Sequence, residues 1–149
     1  MQPNKQIPLS QDAALVIALA GTAMAFAHSA EDEAERWLRA LRLHGQVGAT
    51  LQALGVGEAP LMTRSERPGQ EVPGRPPIGP DVVDEIARRA SGFAAARGAS
   101  TVGTAELLFA ILDLYGRMLD RALYLRGTSR EELLNRLPAE GRRTSDPLA

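Results

Sequence analysis

The sequence predicts an all-α fold of two pseudo-twofold related helical repeats, with about seven to eight helices in 149 residues. Three observations carry this. The apolar residues, 44% of the chain against only 4% aromatic, are mostly alanine and leucine, which favour helix over strand. Apolar positions recur at helical spacing between capping residues and terminal glycines. The two halves also share one grammar.

Residues 1–7 are polar and proline-bearing, and read as a flexible lead-in. Ser10 caps a first helix with Asp12 in its first turn, and an alanine-rich run continues to about Ala27, apolar nearly all round and so expected to be buried on several sides. That run imitates a signal-peptide core, but Lys5 alone supplies basic charge before it and Asp12 abuts it. It is also short of the roughly 20 residues that span a bilayer. A buried helix in a cytoplasmic protein is the expectation.

From Glu31 to about Leu43, Ala34, Trp37, Leu38 and Leu41 mark an amphipathic helix with acids first and Arg39 and Arg42 last, the order the helix dipole prefers. Glu31, Asp32, Glu33 and Glu35 are expected on its solvated start. Gly45 breaks this helix, and Val47, Leu51 and Leu54 mark a shorter one ending at Gly55. Residues 57–80 hold six of the ten prolines and four glycines; 57–77 read as a linker between a first repeat, 8–56, and a second, 78–138.

A second long helix, opened by Asp81 or Gly79-Pro80, runs through Val82, Ile86, Ala90 and Phe93 to Ala96 and ends at Gly98. Thr104 is the expected cap of the next, which carries Leu107, Leu108, Ile111 and Leu112. Residues 117–126 form a further helix stopped by Gly127, and Thr128 or Ser129 with Glu131 and Glu132 caps a last one through Leu133, Leu134 and Leu137 to Pro138. Asp113, Arg117, Asp120 and Arg121 read as surface pairs at i, i+4 spacing. Residues 139–149 read as a flexible tail.

The internal repeat is explicit on superposing the halves. A shift of 69 places Pro8 on Pro77, Asp12 on Asp81 and Ile17-Ala18 on Ile86-Ala87; a shift of 70 places Leu38 on Leu108 and Leu41 on Ile111; a shift of 72 places Leu51 on Leu123 and Gly55 on Gly127. A fourth helix is clear only in the second copy, since Pro60 interrupts its place in the first.

Composition excludes several chemistries. A net charge of -1 gives no electrostatic footprint for nucleic acid or an anionic membrane. Without cysteine there is no disulfide, thiolate ligand or thiol nucleophile, and His28 and His44 are too few for a histidine-rich metal site. Both histidines read as helix-end residues. Neither a Ser/His/Asp constellation nor a carboxylate dyad is expected, so the chain reads as a non-enzyme without cofactor.

The second copy resembles a repeat of the Clp N-terminal domain family, which is built of two such repeats. Val102-Gly103-Thr104 and Leu107-Leu108 match that family's valine-glycine-threonine-glutamate-histidine-leucine-leucine motif, with Ala105 and Glu106 in place of the glutamate-histidine pair; the first copy keeps the closing Leu54-Gly55-Val56 and has Glu33-Ala34-Glu35-Arg36 at the motif. The resemblance spans residues 8–137 without the usual ATPase modules, and no G-x-x-x-x-G-K-[ST] phosphate loop occurs.

It implies a domain that receives substrates and adaptor proteins. In Gram-positive-type relatives the motif glutamate engages phosphorylated arginine, which maps to Glu35 in the first copy and to Ala105, without an acid, in the second. The expected function is protein or peptide binding, with Glu35, Arg36, Trp37, Thr104 and Glu106 as site residues and Clp clients, adaptors or the Clp machinery as partners. The alternative is a small-molecule sensor or sponge for hydrophobic cyclic peptides.

Overall fold

The computed structural model describes residues 7–55, 78–79 and 81–137. The linker 57–77, the tail 139–149 and all but one residue of the lead-in lie outside the described residues, as do Pro60 and Pro138. Seven helices follow in order: α1 (Gln11–Met24), α2 (Ala30–Arg42), α3 (Gly45–Ala53), α4 (Val82–Ala96), α5 (Thr104–Tyr115), α6 (Arg117–Leu125) and α7 (Arg130–Arg136). The fold is all-α. Its sole extended pairing among the described residues is an isolated parallel bridge between Leu9 and Val102, where Ser10 N–H donates to the Val102 carbonyl and Val102 N–H to that of Pro8.

Local chemistry sets the helix ends. Ser10 Oγ accepts from Ala13 N–H, Ser29 Oγ from Asp32 N–H and Ser129 Oγ from Glu132 N–H, so three helices begin on serine caps. Gly55, Gly98 and Gly127 follow α3, α4 and α6 with φ of 78°, 72° and 85°, the left-handed geometry that closes a helix.

Two boundaries depart from the sequence reading. α1 stops at Met24 rather than near Ala27, because Ser29 already caps α2 and the Asp32 carboxylate draws in the His28 N–H at 3.0 Å, leaving 25–28 for the reversal. His28 therefore stands in the turn, not at a helix end. The cap of α5 is Gly103, not Thr104: Thr104 is the first helical residue and is buried, while Glu106 reaches back to accept from Gly103 N–H at 2.8 Å.

One apolar core runs through all seven helices. Ala13, Val16, Ala20 and Met24 of α1, Trp37, Leu38 and Leu41 of α2 and Leu51 of α3 join Ile86 and Ala90 of α4, Leu107, Leu108 and Ile111 of α5, Leu119 and Leu123 of α6 and Leu133 of α7. Burial recurs at an offset of 70 in the first two helices of each half and 72 in the third: Val16, Ala20 and Met24 match Ile86, Ala90 and Ala94, so that Val16 and not Ile17 is the counterpart of Ile86; Ala34, Trp37, Leu38 and Leu41 match Thr104, Leu107, Leu108 and Ile111; Val47, Thr50 and Leu51 match Leu119, Ala122 and Leu123. Some of the contacts between the halves are reciprocal. α1 packs on α4 and α2 on α5, while α2 packs on α6 and α5 on α3.

The tightest crossings use glycine. A Cβ on Gly45, whose φ is +76°, would stand 2.8 Å from Thr104 Oγ1, and one on Gly48 would stand 2.8 Å from the carbonyl oxygens of Leu41 and Arg42. On α1, by contrast, Gly21 faces open space. Two identical substitutions should thus have opposite signs in denaturant melts. Gly21→Ala should raise stability by about 0.5–1 kcal/mol through helix propensity. Gly48→Ala should lower it by about 1–3 kcal/mol, because backbone cannot yield to the added methyl.

Candidate functional site

The acids expected on the solvated start of α2 divide in two, Glu33 and Glu35 turning inward. Glu33 is wholly buried, since it shares the inward stripe of Ala30, Ala34, Trp37 and Leu41. Its carboxylate accepts from Tyr115 Oη at 3.0 Å, from Ile78 N–H at 3.1 Å and from Gly79 N–H at 2.9 Å. Tyr115 Oη in turn accepts from Trp37 Nε1–H at 3.2 Å. Burial first, and then the Glu33 charge, push the Tyr115 phenol well above its ordinary range, which keeps it protonated as donor. This node ties α2 to the end of α5 and to the residues that lead into α4.

Glu35 is also drawn in. It pairs with Arg126 at 3.3 Å, across the halves, with side chains 17% and 6% exposed. Burial raises the Glu35 carboxyl above its ordinary value, and Arg126 only partly offsets this. At the start of α5, Glu106 is fully buried, holds Gly103 N–H and pairs with Arg97, whose Nε lies 2.6 Å away.

The five residues expected at a binding site are therefore dispersed. Trp37 lies in the core, with no exposed face, and Thr104 is buried against Gly45. Glu106 is a cap held by Arg97, and Glu35 is engaged by Arg126. Arg36 bonds Asp32 and donates to the Ala23 carbonyl at 3.3 Å, at the negative end of the α1 dipole. Asp113 and Asp120 do not pair along their own helices: Asp113 meets Arg89 of α4, and Asp120 meets Arg130 of α7.

Of the five, Arg36 borders an open cleft. A hollow of about 300 Å³ between α1 and α2 is lined by Leu19, Ala23, Arg36, Arg39, Ala40, Arg42 and Leu43. Its floor is aliphatic and its α2 edge cationic. The spacing of Arg36, Arg39 and Arg42, three residues apart on one helix, already carries this edge in the sequence. Among the described residues no cluster of three or more His, Asp or Glu is placed to hold a metal ion, and no helix is long and apolar enough to cross a membrane. Searches against family models and against curated proteins find no match to this chain.

Two measurements probe the polar nodes. Tyr115→Phe removes both the donor to Glu33 and the acceptor for Trp37, and should cost about 1–3 kcal/mol in urea unfolding. For Glu35 the sign follows from its raised carboxyl: the folded state holds the proton more tightly than the unfolded chain, so its contribution is most favourable at acid pH and is lost as pH rises from the ordinary carboxylate range through the folded value. The stability difference between wild type and Glu35→Gln should accordingly shift against wild type across that window. A difference that is flat in pH, or that shifts the other way, contradicts this account.

Proposed function

We propose that the chain is a non-catalytic binding module of the Clp N-terminal domain type, which takes up segments of partner protein and modulates a Clp chaperone-protease by competing for, or delivering, its clients. The observation that carries this reading is the reciprocal contact of the halves, α2 on α6 and α5 on α3, with burial recurring at constant offsets. Such reciprocity is what a tandem of two related repeats produces when each packs on the other. It supports the pseudo-twofold, two-repeat architecture that the sequence resemblance implies.

The disposition of polar groups favours contact over chemistry. Glu33, Tyr115, Trp37 and Glu106 are committed to one another or to backbone inside the fold. What the surface offers instead is aliphatic floor with cations beside it, the kind of site that accepts side chains of a polypeptide. Phosphoarginine recognition through Glu35 would require the acid to exchange its partner Arg126 for a ligand guanidinium.

The test is direct binding of the purified chain to the Clp ATPase of the same cell, to its adaptors and to an unfolded client, by surface plasmon resonance. Saturable binding to at least one is expected, and none to any would overturn the reading. Differential scanning fluorimetry against hydrophobic cyclic peptides tests the alternative, because a ligand of the native state raises Tm.

A further inference from the structure

The α1–α2 cleft has a property the rest of the surface chemistry does not explain. α1 bears a single charged residue, Asp12, at its far N-terminal end, and its outward side carries Leu15 and Leu19 one turn apart, 42% and 40% exposed. Leu43, 55% exposed, continues the apolar strip at the end of α2. Along the same edge stand Arg36, Arg39 and Arg42. Arg36 is balanced by Asp32, but Arg39 and Arg42 make no ion pair among the described residues, and Arg42 Nε is buried without a hydrogen-bond partner. Glu35 lies close enough to attract Arg39 but its ion pair is with Arg126.

We propose that this cleft docks a segment of partner protein whose apolar side chains, spaced by one helical turn, alternate with carboxylates. The proposal rests on the reading of the chain as a contact module and names its site and the chemistry of its partner. Charge complementarity selects that occupant. The floor of Leu19, Ala23, Ala40 and Leu43 supplies apolar area to be covered, while the guanidiniums of Arg39 and Arg42, neither held in an ion pair among the described residues, favour anions in whatever covers it. A neutral apolar segment would cover the Arg39 and Arg42 guanidiniums without supplying an anion to either. A nucleic acid would find no aromatic platform among the lining residues on which to stack its bases. An amphipathic acidic segment meets both needs, with i, i+4 leucines on the floor and glutamates on the α2 edge.

The probe is a fluorescein-labelled amphipathic peptide with leucines at i, i+4 and glutamates flanking them, titrated with the full chain and read by anisotropy. Its Glu-to-Gln counterpart and phosphatidylglycerol vesicles are parallel arms. Arg39→Glu and Leu43→Ser change exposed side chains, and circular dichroism melts establish that each variant folds. Arg88→Glu, on α4 and outside the cleft, is the charge-reversal control.

The acidic peptide should bind in a salt-sensitive manner, with affinity about tenfold lower for Arg39→Glu, lower again for Leu43→Ser and unchanged for Arg88→Glu. Equal binding by all variants overturns the cleft as the site while leaving the module reading intact. Failure to bind the acidic peptide, equal binding of the Gln counterpart, or variant-sensitive binding of vesicles alone overturns the proposed partner chemistry.

Discussion

Glu33 is where the two halves of the chain hold each other. An unpartnered carboxylate moved from water into an apolar interior costs several kcal/mol, so the arrangement exists only because three donors converge on it. Those donors come from the second half: the Tyr115 hydroxyl and the amides of Ile78 and Gly79. The partners are polar and directional. They fix where the end of α5 and the approach to α4 must lie relative to α2, in a way that leucine and alanine packing alone does not. Trp37, one turn along from Glu33, completes the constraint through its indole N–H to the same phenol.

Around that point the rest of the interface is arranged. Glu35 and Arg126 clamp α2 to α6, and Gly45 lets α3 approach Thr104 of α5 without a side chain between them. Glu106 finishes the start of α5 from within. The acids of α2 thus act as internal fasteners, while its arginines face outward toward the cleft with α1. One helix therefore joins the halves with one side and lines the open cleft with another, so that Arg39 and Arg42 stand on an element seated by its buried acids.

Helix number and placement were legible from the sequence because they depend on local rules. Apolar spacing, serine caps and left-handed glycines operate within a few residues, and Ser10, Gly55, Gly98 and Gly127 act as read. The inward acids were harder to read. The run Glu31-Asp32-Glu33-Ala34-Glu35-Arg36 looks like a uniformly solvated helix start, and only the i+4 relation of Glu33 to Trp37 marks it as a member of the buried stripe. Its partners lie 45, 46 and 82 residues away, beyond any local pattern. The misread cap has a similar cause: Thr104 is the better capping side chain, but Glu106, three residues after Gly103, accepts from the Gly103 N–H and so fixes the helix start one residue earlier. Of the site residues expected from the Clp resemblance, Arg36 borders the cleft, while burial and pairing direct Glu35, Trp37, Thr104 and Glu106 inward; the cleft draws on the arginine spacing of α2 instead.

Hydrogen exchange at the Ile78 and Gly79 amides tests the central claim most directly, that a buried carboxylate fastens the halves into one body. Ile78 is 47% exposed and precedes a helix, so local structure alone gives its amide little reason for protection. If Glu33 holds these amides, both should exchange only with the global opening that releases core amides such as Leu107 and Leu108. Exchange at the rate of an unprotected loop, with the core amides still protected, would contradict the account.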